Sequence, residues 1–347
     1  MRFADKTIVG LDVQPGYVAA VETRPGQLAV ERAATAPLAP GIVRDGEVVD
    51  VDTLAGVLRD LFAEHKLGKR VRLGVANSRI VMRTLDLPPL QGTKEIASAV
   101  RFQAQDHIPM PLEQAVLEHQ TLGTVETADG QRTRVVLVAA RRDMVDKLVE
   151  ASRRAGLRPH GVDLSAFAMI RALHRPGVSG ASLYISVGGV TNLAIAVGTT
   201  CMFTRVVSQG AESIALELAE HRGLTLEHAH AWLKYVGAVA PLEEVEGDEE
   251  IVAEAREALL EGIRRIADEV RNSIDYYAMQ EGMSTVERAV LTGPAVAIPG
   301  FAAHLSEQAG LPLEVGIVEE ARPGAFGDID AGRLVVATGL TLDEVTP

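Results

Sequence analysis

Twice along this chain the same grammar recurs: three short apolar strands joined by glycine-marked turns, and then an amphipathic helix. No other feature constrains the fold as much. The segment from Thr7 to Val30 and the residues just after it read TIVGLDV, QPG, YVAAVET, RPG and QLAVERA. Pro-Gly punctuation at both turns predicts a meander. Asp52 then precedes Leu54, Val57, Leu58, Leu61 and Phe62, an apolar face at helical spacing with Asp52 as the expected cap. The second half opens with SLYISV, GGVTN, LAIAVGT and TCMFTRVV, followed by a helix through Ile214, Leu216 and Leu218. No close sequence repeat accompanies the recurrence, so it predicts a structural duplication. At 347 residues the chain exceeds what one hydrophobic core usually supports, and two lobes are expected.

Between the two meanders, VRLGVAN reads as a further strand. From Ser78 to His160 the texture changes: a strand pair near IVMRTLDL, the break Pro88-Pro89, a helix from Thr93 to about Asp106, and strands near AVLEHQTL and RVVLVAA. A helix from Arg142 to Ala155, with Met144, Leu148 and Val149 inward, is expected to close this small α/β module. Ile80, Met82, Leu85 and Leu87 read equally well as core positions or as the wall of a groove. After Trp232 an acidic run from Glu243 to Glu250 reads as a solvated loop. A long helix follows, its face traced from Ile251 to Tyr277 and its end set by Gly282. Strand RAVLTG, a helix Phe301–Gln308, strand PLEVGIV and a helix near Ala331–Leu340 complete the reading.

Composition narrows the function classes. Aromatic residues are only 4%, so the core must be built from Val, Leu, Ile and Ala, which suits strands buried on both faces between helices. A formal charge of -13 repels phosphate backbones and excludes nucleic acid as a partner. The lone Cys201, between Thr200 and Met202, reads as a strand core position. Asp5 between Arg2 and Lys6, with Asp12 cutting short Ile8–Leu11, argues against a signal peptide. No run approaches the roughly 20 apolar residues of a spanning helix, so no direct membrane insertion is expected and any membrane link must run through a partner. The closing TLDEVTP is short and acidic, unlike an amphipathic tether.

Three glycine turns carry the candidate chemistry, each directly after an apolar strand: Gly10-Leu11-Asp12 with Gly16, Gly188-Gly189-Val190-Thr191, and Thr292-Gly293-Pro294. Glycine allows close approach of backbone to phosphate, and exposed N–H groups in such turns form anion-binding concavities. Taken singly each is an ordinary turn; their order along the chain makes two facing hairpins and a third loop. Other arrangements carry less. His228 and His230 stand two apart on a helix and cannot converge on one metal, His221 lies across the Gly223 break, and all three read as surface histidines. Ser208 and Ser213 lack any companion His–Asp pattern.

Here the chain resembles the actin, Hsp70 and sugar-kinase superfamily, and within it the PilM branch related to the division protein FtsA. The phrases that carry the resemblance are DLPPLQGTKEI, FQAQDHIPMPLEQAVLEHQ, AGLRPHGVDLSAFAMIRAL, TRVVSQGAESIALELA, LTLEHAHAWLKYVG, EVRNSIDYYAMQ and LTGPAVAIPGF. The resemblance implies a two-lobed actin-like (ribonuclease H-like) α/β ATPase fold. Its first lobe is expected over 1–77 and 161–180, an inserted module over 78–160, the second lobe over 181–225 and 284–347, and a helical subdomain over 226–283. It implies ATP or ADP with magnesium in the inter-lobe cleft: Asp12 in the metal shell, Gly16, Gly188, Gly189 and Thr191 at the phosphates, Gly293 at the adenosine, and Gly210 and Lys234 near the ribose. Lys234 reads equally well as an exposed helix lysine.

Departures from the family pattern lower the expected chemistry. Gln14-Pro15-Gly16-Tyr17 replaces small hydroxylated residues, Ala19 stands where a lysine is usual, Ser186 replaces the second hairpin's aspartate, and Pro294 replaces a glycine. A hydroxyl gives magnesium no charge and proline gives phosphate no N–H. Because phosphoryl transfer depends on positioning and charge, hydrolysis should suffer more than binding, leaving at most a weak ATPase with no catalytic residue assigned. The resemblance implies a scaffold of the type IV pilus platform that docks the N-terminal peptide of a PilN-like membrane protein and sits at the inner membrane face through such partners. It also implies contact with other platform proteins and self-association. The competing readings are an active ATPase or kinase of the same fold, and a secretion or division scaffold.

Overall fold

The computed structural model describes residues 7–90, 92–128, 130–280 and 282–343. The readings at Arg2, Asp5 and Lys6, and at the last residues of TLDEVTP, lie outside them.

The first meander is β1 (Val9–Gln14), β2 (Tyr17–Thr23) and β3 (Val30–Pro37). A small hairpin follows, β4 (Val43–Arg44) with β5 (Glu47–Val48), then α1 (Val51–Glu64) and β6 (Arg70–Val75). The α1 cap is Asp50, whose carboxylate accepts the Thr53 N–H at 3.0 Å, so the expected Asp52 lies one turn position inside the helix. Next come β7 (Val81–Leu87), α2 (Thr93–His107), β8 (Ala115–Thr127), β9 (Gly130–Arg141), α3 (Arg142–Arg154), β10 (Arg158–Leu164) and α4 (Ser165–Leu173). The second meander is β11 (Ala181–Val187), β12 (Thr191–Val197) and β13 (Thr200–Val207). It leads into α5 (Ala211–Arg222), α6 (Leu226–Val236), α7 (Glu249–Ala278), β14 (Val286–Thr292), α8 (Phe301–Ala309), β15 (Glu314–Val315) and α9 (Val335–Leu340).

Two five-stranded sheets carry the duplication. Their orders are β3-β2-β1-β6-β10 and β13-β12-β11-β14-β15, with antiparallel pairing inside each meander and parallel pairing beyond it. The two orders superpose strand for strand. Residues of β1, β2 and β11 are buried on both faces, the pattern of a sheet clad by helices on each side. In the second lobe α5, α6 and α7 cover one face through Ile214, Leu218, Leu233, Leu259, Ile263 and Ile266.

A third sheet, β7-β9-β8, is separate from both. One of its faces is covered by α2, where Ile96, Val100 and Ala104 meet Leu85, Leu87, Val135 and Leu137. Leu85 and Leu87 are therefore core, while Ile80 packs on the first-lobe core and Met82 on the cluster between the lobes. IVMRTLDL forms the single strand β7, not a pair. The helix α3 belongs elsewhere than the sequence reading put it: Met144, Leu148 and Ala151 pack with Leu54, Leu58 and Leu61 of α1 in the first-lobe core.

The lobes interlock through α4 and α9. These helices pack against each other, α4 also lying on β12 and α9 on β1, β2 and β6. Backbone meets backbone there: a Cβ on Gly339 would fall 1.8 Å from the Ala168 carbonyl oxygen, and one on Gly10 would fall 1.8 Å from that of Ala337. Arg171 of α4 forms a buried ion pair with Asp163 of β10 and donates to the Gly339 carbonyl at 3.2 Å, tying the crossing together.

Candidate functional site

A cleft of about 700 Å³ opens between the two meanders. Its inner end is formed by the β1–β2 turn at Gly16, the β11–β12 turn at Gly188 and Gly189, and the first residues of α5. Its outer walls carry Leu38, Ile42 and Val57 on one side and Leu226, Lys234 and Ala297 on the other. Apolar walls with polar groups gathered at one end are the usual design of a small-molecule site.

The turns at the inner end touch. A Cβ on Gly189 would lie 2.2 Å from the Pro15 carbonyl, one on Gly188 would lie 2.8 Å from the Tyr17 hydroxyl, and one on Gly210 would lie 2.5 Å from the Gly188 carbonyl. Glycine at 188 and 189 is a packing requirement between the lobes, and glycine at 210 one within the second lobe. Several amides are already engaged: Gly188 N–H donates to Val190 O at 3.0 Å, Gly293 N–H to Gly332 O at 3.2 Å, and Gly210 N–H to the Ser213 hydroxyl at 3.0 Å. Gly293 has φ +93°, with no room for a side chain against Val187.

Charge is distributed with care. Asp12 lies beneath the turn, 1% exposed, with Gln14 Nε2 donating to its Oδ1 at 3.0 Å. Burial pushes its pKa up to about 6, the Gln14 bond pulling the other way. Burial also pushes the Tyr17 hydroxyl up, with the neighbouring Asp12 charge adding to it and Arg333 opposing. Arg333 stacks over the Tyr17 ring at 4.7 Å, and its buried Nε has no partner among the described residues. Glu212 reaches back from the first turn of α5 to Gly16 and lies 2.8 Å from His230 Nε2. Lys234 donates to Asp330 at 3.3 Å.

Of the residues singled out in the sequence, Gly16, Gly188, Gly189 and Lys234 line the cleft. Asp12 lies below it, Thr191 is fully buried in β12 with its hydroxyl unpartnered among the described residues, and Ser186 is 9% exposed in β11. Gly210 packs on the Gly188 turn, and Gly293 precedes the cleft-lining Pro294. Sequence reasoning missed Tyr17, Glu212, Arg333 and Asp330, and set His230 aside as a surface residue. The acid immediately after Gly210-Ala211 at a helix start was the one available signal.

The volume of the cleft and the Arg333 guanidinium on its wall fit a phosphate-bearing ligand such as a nucleotide. The metal donors are sparse: with Ser186 neutral and Asp12 buried, Glu212 is the carboxylate standing at the phosphate end.

A second concavity, about 350 Å³, lies where the module meets both lobes. The module face opposite α2 supplies Glu118, Gln120, Val136 and Val138, and Val162, Phe167, Arg171 and Cys201 close it. The strands β8, β10 and β13 are edges of their sheets, each leaving one row of backbone groups outside its ladder.

A sequence profile for the family described as "Type IV pilus assembly protein PilM" matches residues 10–342. Among solved structures, the "PilM-PilN type IV pilus biogenesis complex" contains a chain 25% identical, with TM-score 0.79, the match covering 96% of this chain and 97% of that one. Ethanolamine utilization protein EutJ from Carboxydothermus hydrogenoformans is 16% identical with TM-score 0.57 over 96% and 88%. MreB5 of Spiroplasma citri bound to ADP is 13% identical with TM-score 0.56 over 97% and 95%. The last two establish a shared fold, the actin-like two-lobed architecture.

Proposed function

This chain belongs to the type IV pilus assembly PilM family, and from that premise we propose that it is a nucleotide-responsive scaffold that docks the N-terminal segment of a PilN-like membrane protein. The observation that carries the reading is the match to the PilM chain of a PilM–PilN complex over nearly the whole of both chains. No described helix is long and apolar enough to cross a membrane, which agrees with recruitment to the inner membrane face by such a partner.

The groove between module and lobes is the proposed dock. An extended peptide there can add backbone hydrogen bonds to an edge strand, with Val136, Val138 and Phe167 receiving apolar side chains. The acidic protein favours a tail carrying lysine or arginine, as cytoplasmic flanks of membrane anchors commonly do. The inserted sheet β7-β9-β8 and the adjacent parts of both lobes form this surface.

In the cleft, ATP or ADP is proposed to bind with its phosphates toward Gly16, Gly188 and Gly189, Arg333 facing their charge, and its base toward the Gly293–Pro294 side near Lys234. Magnesium, when bound, would neutralise phosphate charge. The chain's own residues position and shield, and the neutral Ser186 and the buried Asp12 leave little to activate a water, so turnover is slow. An active kinase reading would require a carboxylate at the second hairpin that this chain lacks. Platform proteins beyond PilN and self-association belong to the same proposal.

The test is polarisation titration of a labelled N-terminal peptide from the PilN-like protein of the same genome. Val138→Glu is expected to weaken binding at least tenfold without changing the circular dichroism spectrum. Equal affinity would move the dock elsewhere.

A further inference from the structure

We infer that Glu212 makes the cleft selective for metal-chelated over metal-free nucleotide, taking over the charge that the second hairpin lacks at Ser186. The inference rests on the proposed binding of nucleotide in the cleft, and its argument is local.

Glu212 sits at the meeting point of the three elements that surround the phosphate end. It follows Gly210 and Ala211 at the start of α5, and its backbone N–H points to the Gly188 carbonyl at 3.4 Å. Its carboxylate lies where a side chain on Gly16 would be, 2.2 Å from an ideal Cβ there. Glycine at position 16, with φ +86°, thus leaves room for the carboxylate as well as for the turn. The side chain is 15% exposed and oriented by His230 on α6. The remaining cleft acids are otherwise disposed: Asp330 is held by Lys234, Glu227 lies on the first turn of α6, and Asp12 is buried under the β1–β2 turn.

A carboxylate in that position acts oppositely on two forms of the same ligand. Facing bare phosphate it repels, because like charges a few ångströms apart in a partly enclosed site interact strongly. Facing a phosphate-bound divalent cation it attracts, since hard oxygen ligands, directly or through water, are what magnesium prefers. The N-terminus of α5 and Arg333 would supply most of the remaining positive potential. Hence the charge of Glu212 sets metal dependence more than it sets total affinity.

The experiment is isothermal titration of ADP, in excess magnesium and in excess EDTA, into the intact wild-type protein and Glu212→Gln. Glutamine keeps the shape and the bond to His230. Glu212→Ala serves as a second variant, and a thermal melt confirms folding of each. Wild type is expected to bind ADP at least about tenfold more tightly with magnesium than without. Glu212→Gln should bind metal-free ADP about tenfold more tightly than wild type, with the magnesium enhancement reduced to less than about threefold, the scale of one charge near a phosphate. An unchanged magnesium enhancement and an unchanged metal-free affinity in both variants overturn the inference alone. Absence of binding of ADP and of adenosine to all three proteins in both buffers overturns the nucleotide reading and this inference with it.

Discussion

The α4–α9 crossing offers a sharp test of how the two lobes are held. Alanine at Gly339 would place a Cβ 1.8 Å from the Ala168 carbonyl oxygen and 2.5 Å from its carbon, where real Cβ atoms stay beyond 3.0 Å. The helices must therefore separate by more than about 1 Å, and a gap of that size forfeits a quarter to a half of the dispersion energy of the atoms around it. The separation also stretches the Arg171 bonds to the Gly339 carbonyl, weakening support for a buried charge. Overpacking of this kind costs about 1–3 kcal/mol and sometimes more, against about 1 kcal/mol gained in helix propensity. A net loss of about 2 kcal/mol, the upper end of that difference, is expected because the clashing atoms are backbone and cannot rotate away. The control is Gly56 in α1, where a Cβ would meet nothing within 4 Å; Gly56→Ala should stabilise by about 0.5–1 kcal/mol. Urea unfolding followed by circular dichroism compares the three proteins. A Gly339→Ala midpoint equal to wild type would refute the claim that this close approach holds the lobes.

Three further outcomes follow from the site and its surroundings. Asp12 has a folded pKa of about 6 against 3.8 unfolded, so its contribution to stability is fully present below about pH 4 and is lost as pH rises through 6. Asp12→Asn should match wild type at pH 4 and exceed it by on the order of 2–3 kcal/mol at pH 8 in denaturant titrations; a pH-independent difference would contradict the burial argument. Burial pushes the Cys201 thiol up to about 12, leaving roughly one thiolate in ten thousand at pH 8, so a colorimetric disulfide reagent should react with the unfolded protein and not with the native one. Ser186→Asp should strengthen magnesium-dependent ADP binding by about tenfold in calorimetry. No change would remove Ser186 from the metal's surroundings.

The meanders were legible because glycine and proline punctuate them and the strands between are mostly apolar, a signal that survives without any tertiary context. The long helix α7 was equally plain from its repeating face between Ile251 and Tyr277. What the pattern could not reveal was partnership. The helix α3 has one apolar face whichever neighbour it meets, and only the fold shows that Met144 and Leu148 turn to α1. The same holds for the cleft. Gly16 and Glu212 are 196 residues apart and become neighbours only when the lobes close on each other, and nothing local to His230 announces the carboxylate that orients it.

The interlocked helices also order events in time. The apolar side of β1, β2 and β6 that carries Ala19 and Val21 is covered by Val335, Val336 and Leu340, about 260 residues downstream of β6. At 5–20 residues per second, roughly ten seconds to a minute separate synthesis of that sheet from synthesis of its cover. Until then the nascent first lobe presents an oily face to solvent or to a chaperone. A ribosome stalled between Gly316 and Leu334 would release a chain with both meanders and every described strand, yet without the helix that shuts the sheet. Such a fragment is expected to aggregate, and losing the last turn of helix should cost this protein more than losing a surface loop several times as long.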